Sequence, residues 1–347
     1  MSAGAGFVAV AASLGICLLL AIALTFWLSR TRGVLNAVDM PNERSLHSMP
    51  VPRSGGLAVM IATGLLWCWS LFQFDAPVFM PWFLGSIALV LGISWIDDHH
   101  QLPATLRMLV HMAAAALLVV GGLGLERLSF PGFSWQLPAA LAVVFTLLFV
   151  VWMTNLFNFM DGMDGFAGGM AAIGFACMAL LGWVQQQPLF ALLAVYVALA
   201  SGGFLVFNFP PARIFLGDVG SCTLGMLAAV FALWAEHEGI FPLWTAILIF
   251  SPFIVDATVT MLRRLWRGEN VLEAHRKHYY QRVVQLGWGH RKTVLWEYLL
   301  MLICAGAALG SYSATVGMQA SAIGFVLLLE LAAMLAIHHF APEPSRD

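Results

Sequence analysis

Residues 139–165 read AALAVVFTLLFVVWMTNLFNFMDGMDG, an apolar run that ends abruptly in amides and carboxylates. The apolar part is long enough to cross a bilayer, since a transmembrane helix needs about 20 residues. Its polar end has residues spaced by three, at Asn155, Asn158, Asp161 and Asp164. Glycines follow both aspartates and favour an end of the helix near Asp161. A carboxylate beside hydrocarbon costs roughly 2.5–3.5 kcal/mol, so this polar end calls for a compensating role.

The composition extends this interpretation to the whole chain. Of 347 residues, 61% are hydrophobic and 10% are charged, whereas soluble domains carry about 25% charged residues. We therefore predict an integral membrane protein in which residues 1–347 form one polytopic domain. The five cysteines are scattered through apolar segments and form no C-x-x-C pair, which argues against a zinc site or a disulfide framework.

The apolar segments predict an all-α bundle of about eleven transmembrane helices. They lie near residues 7–28, 55–73, 80–96, 107–124, 138–156, 166–184, 189–208, 219–235, 241–260, 294–312 and 319–339. If the chain crosses at each segment, every lysine and arginine except Arg127 falls on one side. Positive residues mark the cytoplasmic side, so the N-terminus is predicted to lie outside.

Two further acidic motifs fall on the same predicted cytoplasmic face. Asp97 and Asp98 end the third segment, and Gly217-Asp218-Val-Gly-Ser221 precedes the eighth. Adjacent carboxylates repel unless a cation screens them, and the glycines beside Asp218 let the backbone approach a ligand closely. A hard divalent cation that carries phosphate oxygens is the natural partner of such a face. The plainer alternative is a set of solvated helix ends and a glycine turn.

Two loops supply positive charge on that face. The first carries Arg44, His47 and Arg53, and the loop 261–293 carries the run His275-Arg276-Lys277-His278-Tyr-Tyr-Gln-Arg282. Arginine and histidine make charge-assisted hydrogen bonds to phosphate. Anchoring on anionic lipid explains the same arginines without a site. The roles of Asp256 and Glu330, which interrupt apolar segments, stay open.

These motifs, in this order, resemble the polyprenyl-phosphate N-acetylhexosamine-1-phosphate transferases. The tracts Pro41-Asn-Glu-Arg44 and Pro50-Val-Pro-Arg53-Ser-Gly-Gly56 look like the bacterial branch that starts O-antigen and related glycans, and the resemblance runs from about Asp39 to Lys292. It implies a multi-pass enzyme of the bacterial inner membrane with its active site on the cytoplasmic face. Such enzymes transfer a sugar-1-phosphate from a UDP-sugar to undecaprenyl phosphate, release UMP and need Mg²⁺, with Mn²⁺ as an alternative ion.

The resemblance also implies residue roles. The catalytic residues it implies are Asp97, Asp98, Asp161 and His275. The metal ligands it implies are Asp218, Asp98 and Asp161. The substrate-binding residues it implies are Asn155, Asn158, Asp164, Arg44, His47, Arg53, Arg276, His278 and Arg282. The histidine loop is sparser than the histidine cluster of the N-acetylmuramoyl-pentapeptide and N-acetylglucosamine enzymes, which leaves the sugar open.

Several alternatives stay open at this point. A phospho-N-acetylmuramoyl-pentapeptide-type transferase uses related chemistry, and a cation-coupled transporter would also carry membrane carboxylates. Transporters place such residues near the bilayer midplane within repeats, whereas here they gather at one end and no repeat is visible. The sequence does not decide between one-step and two-step transfer, and a homodimer is one option among oligomeric states. A role in lipopolysaccharide biosynthesis follows only from the resemblance.

Overall fold

The computed structural model describes residues 3–31, 37–39, 50–270 and 275–341, and these ranges are mostly helical. The helices are α1 (Ala3–Arg30), α2 (Gly55–Leu71), α3 (Met80–His100), α4 (Ala104–Val120), α5 (Ala139–Phe159), α6 (Phe166–Val184), α7 (Pro188–Asn208), α8 (Gly217–His237), α9 (Leu243–Ile249), α10 (Ser251–Trp266), α11 (Tyr279–Val283), α12 (Gly289–Ser311) and α13 (Val316–Phe340). A π-helical segment, Val284–Trp288, joins α11 to α12.

Two short antiparallel hairpins are the exceptions to the predicted all-α fold. β1 (Val38–Asp39) pairs with β2 (Val51–Pro52) before α2, and β3 (Arg127–Phe130) pairs with β4 (Phe133–Gln136) between α4 and α5. The second hairpin is fastened to the far end of α8. There the buried carboxylate of Glu236 accepts hydrogen bonds from Ser129 Oγ at 2.5 Å and from the N–H of Leu243 at 2.6 Å.

Helix α8 lies at the centre of the bundle, with α2, α3 and α5 packed against it. Almost all of its residues are buried, whereas α13 is mostly exposed. Glycines permit the closest approach: a Cβ on Gly56 of α2 would lie 2.2 Å from the backbone nitrogen of Gly220 in α8. The Gly55-Gly56 pair therefore begins α2 at a close helix contact. This packing sets the start of α2 beside the first turn of α8.

All eleven predicted membrane segments coincide with helices. Eight described helices are long and apolar enough to cross a membrane, and α9 with α10 makes a ninth if this pair is one span. That pair bends by 82°, next to Pro252, so the segment predicted at 241–260 is broken. Helices α2 and α4 have 17 residues each, or about 25 Å, slightly less than a hydrocarbon core of about 30 Å. The count of eleven spans and the outside N-terminus stay predictions.

The helix boundaries change the surroundings of the acidic motifs. The third segment was predicted to end at residue 96, but α3 continues to His100 and includes Asp97 and Asp98 in its last turn. The eighth was predicted to begin at residue 219, but α8 begins at Gly217 and holds Asp218 in its first turn. Asp161 and Asp164 lie outside helical structure, because α5 ends at Phe159, as the glycines predicted, and α6 begins at Phe166.

Candidate active site

The end of α3 is joined to the start of α8 by the side chain of Asp98. Its Oδ1 accepts the backbone N–H of Asp218 at 3.0 Å, and its Oδ2 accepts that of Val219 at 3.1 Å. These N–H groups belong to the first turn of α8 and have no acceptor within the helix, and a negative charge is favourable at this end of a helix. Gly217, with φ of +73°, makes room for this contact, since a Cβ there would lie 2.9 Å from Oδ2 of Asp98 and 2.2 Å from the carbonyl oxygen of Arg53. Asp98 thus fixes the position of Asp218.

Asp97 is hydrogen-bonded to the segment that follows it in the chain, between the end of α3 and the first turns of α4. One oxygen accepts the N–H of Leu102 at 2.6 Å and the other accepts Nη1 of Arg107 at 2.6 Å. The side chain is buried. Both oxygens are therefore engaged in shaping the connection from α3 to α4 and in placing Arg107.

Two arginines neutralise the carboxylate of Asp218. Nη2 of Arg53 lies 3.3 Å from its Oδ1 and 3.7 Å from Oδ1 of Asp98. Nη1 of Arg107 lies 3.2 Å from its Oδ2. Buried carboxylates need such compensation, and about one-third of each arginine side chain is exposed. They can therefore also meet an anion. The pairing of Arg107 was not foreseen, because the sequence shows it only as one more basic residue near a helix end.

Asp161 lies beside this group on the loop between α5 and α6. Burial raises the pKa of its carboxyl well above its ordinary value, the carboxylates of Asp218, Asp98 and Asp164 raise it further, and Arg53 opposes them. Its carboxylate forms no hydrogen bond or ion pair with any other part of the described chain. Among the described residues, Asp161 is therefore the carboxylate of this cluster whose oxygens are left for a ligand.

The other polar residues of the same motif make structural contacts. Asn158 donates to Oγ of Ser221 at 3.1 Å, which ties α5 to the first turns of α8. Asn155 donates to the carbonyl of Val151 in its own helix at 2.7 Å. Asp164 accepts the N–H of Ala212 at 3.0 Å and lies 3.1 Å from Nδ1 of His290 at the start of α12. No sequence motif pointed to His290, which lies twelve positions beyond His278, the last histidine of the predicted run.

The loop before α11 packs on the same end of α5. Asp256 in α10 accepts the N–H groups of Tyr279 and Tyr280 at 3.0 and 3.1 Å, and Nδ1 of His278 lies 3.2 Å from it. The Oη of Tyr280 donates to the carbonyl of Phe159 at 3.2 Å. The role of Asp256, left open by the sequence, is therefore to anchor this loop within reach of Asp161.

Within that loop His275 is partly buried. Burial lowers the pKa of its imidazole to about 3, with contributions from the nearby His278, Arg264 and Lys277. It is therefore neutral at pH 7, and it can accept or donate a hydrogen bond but cannot offer a positive charge to phosphate. His275 lies against His278, with the ring centres 4.9 Å apart.

Some predicted site residues lie elsewhere. Nε of Arg282 donates to the carbonyl of Ala341 at 3.0 Å, and its guanidinium lies over the ring of Tyr279 and is buried. Its guanidinium therefore contacts the end of α13 and the ring of Tyr279. Arg276 lies in the loop, and its carbonyl accepts a bond from Gln285. Glu330 is buried in α13 beside Cys304, far along the chain from the acidic motifs. Arg44 and His47 lie outside the described residues.

The chain is similar to known proteins over most of its length. Residues 80–236 match the model of glycosyl transferase family 4. A Bacillus subtilis protein named probable undecaprenyl-phosphate N-acetylglucosaminyl 1-phosphate transferase is 30% identical over 90% of this chain and 88% of its own length. The chain belongs to the polyprenyl-phosphate N-acetylhexosamine-1-phosphate transferase family. It is therefore a glycosyl-1-phosphate transferase and not a transporter.

Two further relatives of this transferase carry similar names. The decaprenyl-phosphate N-acetylglucosaminephosphotransferase of Mycobacterium tuberculosis is 31% identical over 80% of this chain and 76% of its own. The undecaprenyl-phosphate alpha-N-acetylglucosaminyl 1-phosphate transferase of Escherichia coli is 25% identical over 83% of this chain and 80% of its own. The matches reach well beyond residues 80–236 and include most of the helices that surround the site.

The donor atoms of the transferase suit a hard cation. Its cluster offers carboxylate oxygens, which are the ligands that Mg²⁺ prefers, and the carboxylate of Asp161 has no hydrogen-bond or ion-pair partner among the described residues. As the side chains stand, no three His, Cys, Asp or Glu residues of the described chain form a metal-binding group. Asp218 faces two arginines, and both oxygens of Asp98 already accept N–H groups. Asp161 and Asp218 are therefore the residues that would hold the ion, with Asp98 supporting them.

Proposed function

We propose that the protein transfers an N-acetylhexosamine-1-phosphate from a UDP-sugar to undecaprenyl phosphate, releases UMP, and depends on Mg²⁺. N-acetylglucosamine is the first sugar to test, because the relatives named above are N-acetylglucosamine enzymes. The reaction would start a lipid-linked glycan such as an O-antigen on the cytoplasmic face of the inner membrane. The observation that carries this proposal is the meeting of Asp98, Asp161 and Asp218 with Arg53 and Arg107 at the ends of separate helices.

The cluster supplies what phosphoryl transfer requires. The reaction needs neutralised charge and in-line placement more than covalent help from the protein. Arg53 and Arg107 are each one-third exposed and can bind phosphate oxygens while they remain near Asp218. An Mg²⁺ ion held by Asp161 and Asp218 would neutralise diphosphate charge in the same place. The ends of α3, α5 and α8 keep these groups together on one side of the bundle.

A strong general base is not needed for the acceptor. A phosphate monoester has a second pKa of about 6 and is mostly dianionic at pH 7. Both oxygens of Asp97 and both of Asp98 already accept hydrogen bonds. We therefore assign Asp97 to positioning Arg107 and Asp98 to positioning the first turn of α8. We also propose that the acceptor phosphate attacks the UDP-sugar directly, without a covalent intermediate on an aspartate. Trapping a sugar-phosphate adduct on an aspartate would contradict this assignment.

The test is an assay of the purified protein in lipid nanodiscs. The assay contains undecaprenyl phosphate, Mg²⁺ and one of a panel of UDP-N-acetylhexosamines. UMP release is measured, and the lipid product is identified by mass spectrometry. We expect UMP and a lipid-linked sugar diphosphate with at least one donor. A folded protein that releases no UMP with any donor, including UDP-N-acetylmuramoyl-pentapeptide, would contradict the proposal. Turnover with the pentapeptide donor alone would assign the protein to the other branch.

A further inference from the structure

We propose that His290 is a positioning residue that sets the geometry of the ion-binding carboxylates through Asp164. This inference rests on the function proposed above and adds a residue that the sequence motifs leave out. His290 lies in the first turn of α12, and its Nδ1 is 3.1 Å from Oδ1 of Asp164. Both side chains are largely buried, with 18% and 12% of their surface exposed. The contact joins α12 to the loop that carries Asp161.

The contact defines the state of the imidazole ring. An ionised carboxylate can only accept hydrogen bonds, so Nδ1 of His290 must carry a hydrogen and donate it to Asp164. The backbone N–H of Asp164, which is 3.5 Å from the same nitrogen, cannot then be its donor. A histidine fixed by a carboxylate in this way holds its partner in one orientation.

Asp164 is held from a second side. Its Oδ2 accepts the N–H of Ala212 at 3.0 Å, and Ala212 lies six positions before Asp218 in the chain. The carboxylate of Asp164 thus clamps three segments together: the start of α12, the loop with Asp161, and the segment that leads into Asp218. Because Asp161 and Asp218 are the two residues assigned to the ion, this clamp controls their separation. Removing His290 should therefore weaken ion binding without direct contact between His290 and the ion.

The chain offers a matched control. Tyr298, two turns further along α12, donates from its Oη to the carbonyl of Gly165 at 2.6 Å. Tyr298→Phe therefore removes a hydrogen bond between the same helix and the same loop but leaves the Asp164 carboxylate untouched. His290→Asn is the conservative variant, because the amide nitrogen of asparagine can stand where Nδ1 stands and donate to Asp164.

The experiment measures Mn²⁺ binding by electron paramagnetic resonance in nanodiscs, without substrate, and then kcat and the Mg²⁺ requirement for UMP release. We expect His290→Ala to bind Mn²⁺ about tenfold or more weakly, His290→Asn to recover most of the affinity, and Tyr298→Phe to resemble the wild type. Thermal unfolding without metal checks that all variants are folded.

Several results would overturn the inference. Equal losses in His290→Ala and Tyr298→Phe would show that α12 merely tethers the loop. Wild-type Mn²⁺ binding in His290→Ala, or no Mn²⁺ binding by the wild type, would also end it. A wild-type protein that binds Mn²⁺ but releases no UMP would instead contradict the proposed function, so the two failures can be told apart.

Discussion

At the scale of single residues, the site is a set of charges that compensate one another. Asp97 and Asp98 have buried side chains whose oxygens are all engaged, and Asp218 lies between two arginines. The carboxylate of Asp161 forms no hydrogen bond or ion pair with the described residues. The same residue type therefore has three different tasks within one cluster. The differences come from local partners and not from the residues themselves, so each task predicts a different result on mutation.

Asp218→Asn should nearly abolish turnover and leave the protein folded. The amide keeps the shape of the side chain but loses the charge that would hold the ion, so we expect kcat to fall by about 100-fold or more. UMP release measures the loss, and thermal unfolding and gel filtration check the fold. Asp75→Asn, an exposed carboxylate near the opposite end of the helices, is the control. Wild-type turnover in Asp218→Asn would remove Asp218 from the site.

Arg107→Lys should impair both stability and turnover, because an ammonium group cannot reach Asp97 and Asp218 as the planar guanidinium does. We expect a loss of about 1–3 kcal/mol in unfolding free energy and a higher KM for the UDP-sugar. Arg213→Lys, at an exposed position, should change neither quantity. If both variants behave alike, the ion pairs of Arg107 with Asp97 and Asp218 do not contribute to stability or turnover.

The affinity for Mn²⁺ should rise with pH. The raised pKa of Asp161 means that its carboxyl keeps a proton at pH values where a free aspartate is ionised. Ion binding requires the carboxylate and must expel that proton, so the affinity increases up to the raised pKa and levels off above it. Titrations from about pH 5 to pH 8 check this. Asp161→Asn should bind more weakly and with a flatter pH dependence; an equally steep curve in this variant would assign the effect to another group.

At the scale of elements, the site depends on how closely helices approach. The first turn of α8 is held by Asp98 from α3, and α2 touches α8 through Gly56 and Gly220. The N–H groups of Gly55 and Gly56 also donate to the carbonyls of Phe215 and Leu216 at 2.9 and 2.7 Å. The start of α2, which lies two residues after Arg53, is therefore bonded to the segment that leads into Asp218.

Gly56→Ala should separate α2 from α8. The new methyl would lie 2.2 Å from a backbone nitrogen, which cannot move aside as a side chain can. We expect a loss of about 1–3 kcal/mol in unfolding free energy and a reduced kcat, because Arg53 moves with α2. Gly64→Ala in the same helix has no atom within 4 Å of its new methyl and should be neutral or slightly stabilising. A similar loss of unfolding free energy in both variants would show that the effect comes from helix propensity and not from the contact between α2 and α8.

At the scale of the whole molecule, motifs that are distant in sequence meet at one end of the helix bundle, because successive helices run in opposite directions. Asp218 and Glu236 occupy opposite ends of α8, and the latter binds the β3–β4 hairpin. The hairpin is therefore predicted to lie outside the cell when the acidic cluster faces the cytoplasm. Cysteine labelling in whole cells tests this orientation, because Cys68 is the one exposed cysteine among the five and can be replaced.

In a Cys68→Ser background, Phe133→Cys in the hairpin should react with a membrane-impermeant maleimide on intact cells, and Arg213→Cys only after lysis. Both positions are exposed. The reverse pattern would place the acidic cluster outside, away from cytoplasmic nucleotide sugars, and would contradict the proposed substrate.

The sequence predicted the parts of this arrangement that depend on chain order. Apolar length predicted the helices, and their alternation placed Asp97, Asp98, Asp161 and Asp218 at one end. The side-chain contacts between neighbouring helices and loops could not be predicted from the sequence. The pairing of Arg107 with Asp218, the contact of His290 with Asp164 and the anchoring role of Asp256 each join segments far apart in sequence. Arg282 looked like a phosphate ligand by its neighbours, yet the fold turns it towards Ala341.

The burial of α8 has a consequence for how this chain tolerates change. A helix that touches lipid on one side can accept many substitutions there, because hydrocarbon adapts to a new shape. Almost every side of α8 meets protein, so nearly any replacement either opens a void or forces neighbours apart. In a library of random variants, α8 should therefore lose function most often, and the largely exposed α13 should collect most of the silent changes.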